Sequence, residues 1–134
     1  MTWKIALQKE ITDFNPETAS RNKVKRKKEL KAILSKKIGK EHPKILKRVL
    51  GHDLFIDVCF NLYQSEQISD SKKDLDNLLK ILLDVLSVNM VNGQTKLRGL
   101  GFLQDDSKVF KINCEKKIIN DPKKMGLSLK ISYR

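Results

Sequence analysis

The feature that most constrains the fold is a leucine-rich stretch at residues 71–86. Its leucines recur at spacings of three and four residues, which places them on one face of a helix: Leu75, Leu78, Leu79, Leu82, Leu83 and Leu86. A polar series recurs every four positions on another face: Asp76, Lys80 and Asp84. Asp74 stands at the start, where an acidic side chain caps free amides and meets the positive end of the helix dipole. The pattern predicts an amphipathic helix over about 74–88.

The clearest strand lies just before this helix, at residues 53–63. Hydrophobic residues alternate there in strict order, which is typical of a central strand: Leu54, Ile56, Val58, Phe60 and Leu62. Weaker patterns predict further elements: a strand at 2–9, a basic helix at about 19–38, a short helical segment at 43–50, a loop or hairpin at 89–104, and strands at 108–119 and 127–133. This order predicts a single domain, 1–134, of the α/β (α+β) class, with a small mixed β-sheet packed against two main helices.

Alternation also predicts which side chains share a side of the outer strands. In the first strand, Trp3, Ile5 and Leu7 are expected on one side. In the strand at 108–119, Phe110, Ile112 and Cys114 are expected on one side. We expect Cys59 and Cys114 to be reduced core thiols, because no disulfide framework or zinc spacing is present in the sequence.

Charge is the strongest compositional signal. The net charge is +12, and residues 1–50 supply +10 of it, with 15 basic and five acidic side chains. Such a surface attracts a polyanion, most simply nucleic acid; an anionic membrane fits less well, because the basic stretch lacks an aromatic face. The predicted DNA-contacting cations of this region are Arg21, Lys23, Lys25, Arg26, Lys27 and Lys28. No apolar run approaches a bilayer span and no signal-peptide pattern follows Met1, so we expect a cytoplasmic, nucleoid-associated protein.

Two acidic pairs are the candidates for catalysis. Asp74-x-Asp76 follows a strand and a loop, and Asp105-Asp106 precedes the next strand. Where such ends converge, a hard cation such as Mg²⁺ relieves the mutual repulsion of carboxylates and activates water against a phosphodiester. A structural explanation stays open beside this one. Asp74 would then be a helix cap, Asp76 and Lys80 an exposed ion pair, and Asp105-Asp106 a turn.

A longer pattern links these residues. Asp74-Leu75-Asp76-Asn77-Leu78-x-Lys80-x-x-x-Asp84-x-Leu86, followed by Asp105-Asp106-x-x-Val109, resembles the RusA family of Holliday junction resolvases. The preceding Lys72-Lys73 is similar to the basic run that the family places before its motif. Two features depart from the family. The loop at 89–104, with Lys96 and Arg98, is longer than usual, and the Pro-Ser-x-Asn pattern of the N-terminal loop is matched only loosely.

The resemblance implies a Mg²⁺-dependent homodimer, with Mn²⁺ as a substitute, that nicks opposed strands of a four-way DNA junction in recombination and repair and leaves 5′-phosphates. It implies that Asp74, Asp76 and Asp106 bind the metal, that Asp105 assists, and that Lys80 is catalytic. Asn77 and Asp84 would support the site or its helix, and Lys72 and Lys73 would join the DNA contacts. Two alternatives remain: a looser structure-selective nuclease acting on flaps or forks, and a non-catalytic basic nucleic-acid-binding protein.

Overall fold

The computed structural model describes residues 2–12, 14–16, 23–63, 75–91 and 94–134. Within these ranges the chain forms, in order, β1 (Lys4–Ile11), α1 (Lys23–Ile38), α2 (His42–Val49), β2 (Leu54–Tyr63), α3 (Leu75–Leu86), β3 (Asn89–Val91), β4 (Gln94–Arg98), β5 (Val109–Ile119) and β6 (Gly126–Tyr133). Short 3₁₀ turns lead into α2, β5 and β6: Gly39–Glu41, Asp106–Lys108 and Pro122–Lys124. No helix in these ranges is long and apolar enough to cross a membrane.

Four strands form a mixed sheet in the order β1-β6-β2-β5, and β3 and β4 form a separate hairpin. β6 pairs antiparallel with both β1 and β2, whereas β2 and β5 are parallel. A parallel pair needs a crossover connection, and α3 supplies it between β2 and β5. The mixed sheet with its two main helices, α1 and α3, confirms the predicted fold class. The hairpin prediction for residues 89–104 is also confirmed.

The helices cover one face of the sheet. In β2 the even-numbered residues from Leu54 to Leu62 are buried, while the odd-numbered residues between them are half-exposed. The core that they join includes the buried residues of α1 and α3: Leu30, Leu34, Ile38, Leu78, Ile81, Leu82, Val85 and Leu86. The opposite side of the sheet, on which Phe55 and Cys59 lie, carries no helix among the described residues; we call it the open face.

The apolar stripe of α3 is rotated from its predicted position. Ile81 and Val85 are buried, although the leucine pattern did not include them, and Leu79 and Leu83 are only partly buried. α3 packs against α1 and β3 as well as beside β5, so its buried stripe is wide and is centred away from the sheet edge. Leu83 is thereby left at the margin of the core.

A register irregularity in β1 overturns one prediction. The pairing with β6 shifts between Ile5 and Leu7, so that Leu7 is buried whereas Ile5 is 54% exposed. The Trp3 ring packs edge-on against Phe55 of the open face, with 5.7 Å between ring centroids. The prediction that Trp3, Ile5 and Leu7 share one side was therefore wrong, because an irregularity interrupts the two-residue period.

The side-chain pattern of β5 was predicted only in part. Ile112 and Cys114 lie opposite Ile56 and Val58, on the helix-covered side as expected. Phe110 falls within a register shift, is 59% exposed, and approaches Arg134, whose guanidinium carbon lies 5.9 Å from the ring centroid. Cys59 and Cys114 are free thiols. Burial raises the pKa of both thiols, so they stay protonated at neutral pH.

Candidate active site and nucleic-acid surface

The turn before β5 is built around Asp105. Its carboxylate accepts a hydrogen bond from the Ser107 amide at 2.9 Å, and its carbonyl accepts one from the Lys108 amide at 3.0 Å. The Ser107 amide holds the pKa of the Asp105 carboxyl below its usual range. Asp105 therefore caps the turn that presents Asp106, and this structural role accounts for its carboxylate without a metal.

The same turn recurs before β6. There the Asp121 carboxylate accepts from the Lys123 amide at 3.0 Å, and the following residue is Pro122. A proline therefore serves where the first turn has Asp106. The turn geometry does not require a carboxylate at that position, so Asp106, which is exposed, has no role in forming the turn.

A cleft of about 370 Å³ lies between α3 and the start of β5. Its walls are Lys80, Leu83, Asp84, Ser87, Leu103, Asp106, Val109 and Ile112. The structure thus brings together Lys80 and Asp106, which are distant in sequence. Asp76 lies one turn before Lys80 on α3 and is exposed. Within the described part of the chain, the side chains of Asp76, Lys80 and Asp106 form no hydrogen bond or ion pair with one another or with other side chains.

The backbone after the hairpin fixes the distance across the cleft. Carbonyls at the end of α3, and those of the two residues after it, accept hydrogen bonds of 2.7–3.1 Å from amides of the returning chain. The donor and acceptor pairs are Leu100 to Val85, Leu103 to Leu86, Gly101 to Ser87 and Gly99 to Val88. A Cβ on Gly99 would overlap the carbonyl oxygens of Ser87 and Val85, so only glycine permits this approach. The end of α3 and the chain leading to Asp106 are therefore fastened together.

Asp84 has an internal partner. The Lys27 ammonium lies 2.8 Å from its carboxylate and donates a second hydrogen bond to the Met90 carbonyl at 3.0 Å. The Lys27 side chain is only 12% exposed. This pair joins α1 to α3, which agrees with a supporting role for Asp84. It also commits Lys27 to the protein interior, so the structure gives it a position different from the predicted DNA contact.

Carboxylates are the side chains that would hold Mg²⁺ here; Asp106 lines the cleft, and Asp76 is not among its lining residues. Of the implied ligands, Asp76 and Asp106 are described and Asp74 lies outside the described residues. Among the residues that are described, no group of three or more Asp, Glu, His or Cys side chains is close enough to hold a metal ion. Mg²⁺ is bound by one or two carboxylates, with water and phosphate oxygens completing the shell. The donor types present therefore fit Mg²⁺ or Mn²⁺.

A second, basic groove of about 330 Å³ separates α1 from the hairpin. Four cations line it: Lys28, Lys31, Lys96 and Arg98. Lys28 and Lys31 belong to the predicted basic helix, and Lys96 and Arg98 to the loop at 89–104, whose role the sequence left open. No local pattern in the sequence indicated that these four side chains line one groove. Lys23 and Lys25 are exposed on the same helix. Arg26 is half-buried and pairs with Glu29 at 3.3 Å, whereas Arg21, Lys72 and Lys73 lie outside the described residues.

A comparison with protein-family models, curated proteins and solved structures finds no match for this chain. The resemblance to the RusA family therefore stays a prediction. What the described residues supply is a free carboxylate and a free ammonium in one cleft, with a basic groove elsewhere on the same chain.

Proposed function

We propose that this chain is a Mg²⁺-dependent endodeoxyribonuclease that resolves four-way DNA junctions by paired nicks. The observation that carries the proposal is the shared cleft of Lys80 and Asp106. Both side chains are without internal partners in the described structure, and Asp106 is not needed for its turn. A carboxylate and an ammonium from residues that line one cleft suit phosphodiester hydrolysis, in which one group holds a cation and the other meets phosphate charge.

Each described residue has a distinct part in this proposal. Asp106 and Asp76 would hold the metal, and when bound the ion activates a water molecule and neutralises phosphate charge. Lys80 lines the cleft, and its ammonium would bind a phosphate oxygen and stabilise the charge that develops there. Asp105 would act indirectly, because its cap sets the conformation of the turn that carries Asp106.

The basic groove supports a DNA substrate. Lys28, Lys31, Lys96 and Arg98 form a row of cations suited to phosphates rather than to base edges. Binding should therefore weaken steeply with salt. We extend the proposal to a homodimer, since two symmetry-related sites would meet the two opposed strands of a four-way junction.

A non-catalytic basic module explains the charge but not Asp106. A carboxylate that lines the same cleft as Lys80 repels a phosphate bound there unless a cation lies between them. The cleavage assay below separates this alternative from catalysis. It also separates a junction enzyme from a nuclease of flaps and forks.

The test is a gel assay on a synthetic four-way junction, a flap and a linear duplex, with Mg²⁺ or EDTA. The proteins compared are wild type, Asp76→Asn, Asp106→Asn and Asp121→Asn. The last variant is the matched control, because Asp121 occupies the same kind of turn away from the cleft. We expect paired nicks in the junction with wild type and Asp121→Asn, and none with Asp76→Asn, Asp106→Asn or EDTA.

Other outcomes would contradict parts of the proposal. Tight junction binding without cleavage by wild type in any divalent metal would exclude the enzyme. Equal cleavage of flaps and junctions would replace the resolvase with a broader nuclease. Full activity of Asp106→Asn would remove the cleft from the mechanism.

A further inference from the structure

A second unusual surface crosses one end of the open face, outside the cleft. Aromatic rings and cations alternate there in a connected row, which we call the aromatic strip: Trp3, Phe55, Phe110, Lys111 and Arg134. The Arg134 guanidinium carbon lies 4.3 Å from the Trp3 ring centroid, and the Lys111 ammonium lies 4.7 Å from that of Phe55. These contacts join groups from all four strands of the sheet or from the residues beside them.

Core packing does not explain the strip. Phe110 is 59% exposed, and Ile5, on the same face, is 54% exposed. Large apolar side chains at such exposure, grouped with cations, are typical of a binding surface rather than of a monomer's ordinary exterior. Arg134 is held in place, because its backbone exchanges hydrogen bonds with Asp53 at 3.1 and 3.3 Å. The Arg134 guanidinium also lies 3.7 Å from the Asp53 carboxylate, so this end of the strip is held in place.

We propose that the aromatic strip binds unpaired bases of single-stranded DNA. Aromatic rings stack on any base once its partner is removed, and neighbouring cations bind the phosphates between bases. In a duplex the base faces are stacked on one another, so its phosphates would contact Lys111 and Arg134 but the rings of the strip would find no base to stack on. Phe110 directly follows Val109, which lines the cleft. A strand on the strip would therefore lie next to the cleft edge, although binding to the strip needs neither a metal nor cleavage.

A second copy of this chain fits the strip less well. Docked strip to strip, two copies would bring Lys111 and Arg134 of one against the same cations of the other, and like charges in contact oppose association. A polyanion is attracted to these cations, because its charge is opposite to theirs. The net charge of +12 favours the same occupant.

Trp3 is the single tryptophan of the chain, so its fluorescence reports on the strip directly. The experiment titrates wild-type protein in EDTA with a 15-nucleotide oligothymidylate and, separately, with a duplex of equal phosphate content. Stacking should quench Trp3 emission with the single strand and much less with the duplex. Phe110→Ala should raise the Kd for the single strand at least about fivefold.

A matched pair of lysines isolates the strip from general charge. Lys111 and Lys117 are both exposed on β5 and lie opposite open-face residues, Phe55 and Asn61, near the two ends of the strand. Lys111→Ala should raise the Kd about threefold, and Lys117→Ala should have a clearly smaller effect. This pair decides the question should Phe110→Ala fail to fold.

Equal quenching by duplex and single strand, or equal effects of the two lysine variants, would overturn the proposal. A DNA-free wild type that sediments as a dimer, and becomes monomeric in Phe110→Ala, would assign the strip to an interface between copies instead. Asp121→Asn, outside both the cleft and the strip, should bind the oligonucleotide as wild type does, and the titration in EDTA involves no cleavage. Failure of the nuclease proposal would therefore leave this result standing, and failure here would leave the cleavage assay unaffected.

Discussion

Two turns of this molecule share one design and differ at one position. Asp105 before β5 and Asp121 before β6 each cap a 3₁₀ turn through the amide two residues further on, at 2.9 and 3.0 Å. In each turn the capping residue's carbonyl also accepts from the amide three residues on, at 3.0 Å. The next residue is Asp106 in the first turn and Pro122 in the second. The second turn shows that a capping Asp is sufficient to form such a turn. The first turn has an additional carboxylate, that of Asp106, which the turn does not require.

The difference separates carboxylates that the fold explains from those that it does not. Asp105 and Asp121 cap turns, and Asp84 pairs with Lys27. Changing any of these should mainly alter stability. Asp106 and Asp76 have no such partner among the described residues, and changing them should mainly alter activity.

The largest effect is expected when the first turn is made to copy the second. Asp106→Pro should fold, because Asp105 has the extended backbone (φ −146°, ψ 122°) that a residue before proline prefers. Junction cleavage should fall at least about 1000-fold, because the variant loses the metal ligand that the proposed function assigns to Asp106. Single-turnover cleavage and thermal unfolding measure the two quantities. A folded, active Asp106→Pro would show that the extra carboxylate has no catalytic part.

A smaller loss is expected from the ammonium in the cleft. Lys80→Ala should slow junction cleavage about 100-fold, the typical cost of removing one group that stabilises developing charge. Lys124→Ala, in the second turn, removes the same charge away from the cleft and should leave the rate within about twofold of wild type. The measurement is the single-turnover rate at saturating protein. Equal slowing by both variants would indicate a general charge effect.

The Lys27–Asp84 pair should affect stability more than chemistry. Lys27→Met removes the partner of a carboxylate that is 38% exposed, so unfolding should become easier by about 1–2 kcal/mol. Lys25→Met, an exposed site on the same helix, should change stability by less than about 0.5 kcal/mol. Urea denaturation measures both. An unchanged stability for Lys27→Met would place Asp84 among the unexplained carboxylates.

The two caps should be nearly equivalent when removed. Asp105→Ala and Asp121→Ala should each lower Tm by about 2 °C, because each exposes one turn amide that water then satisfies. Differential scanning calorimetry on both variants is the check. A fall several times larger for Asp105→Ala alone would mean that this turn has a packing role that the second turn lacks.

The smallest expected effect is a change in thermal stability at low pH. The pKa of Asp105 is depressed in the folded state, so the stabilisation from its charge is present above the ordinary pKa of about 3.9 and is lost as pH falls through the lower folded value. Asp105→Asn keeps a capping oxygen without the charge. Its Tm deficit relative to wild type should be constant from about pH 7 to pH 5 and should close below about pH 4. A deficit that persists undiminished at pH 3 would contradict the assigned cause.

The sequence predicted most of the elements because periodicity is a local property. The strict alternation of β2 and the leucine spacing of α3 both identified real elements, and the central place of β2 was confirmed. The register shifts beside Ile5 and Phe110 could not be found this way, since they depend on the neighbouring strand.

The residues of the candidate site came from local patterns, and their roles came only from the resemblance. The acidic pair alone did not distinguish Asp105 from Asp106, whereas the resemblance implied a metal ligand at Asp106 and a helper at Asp105. The hydrogen bond from the Ser107 amide now shows that Asp105 caps the turn. Lys27 was grouped with the DNA-contacting cations, because its distant partner Asp84 leaves no local signal.

The anchoring of the α3 end has a consequence for how this chain tolerates variation in length. The amides of the returning chain that bond to that end belong to residues after the hairpin, from Gly99 to Leu103. Insertions or deletions at the hairpin tip therefore leave the spacing of Lys80 and Asp106 unchanged. The same changes made between Gly99 and Leu103 would shift it. The hairpin is thus the place where this architecture can gain new contacts without retuning its cleft.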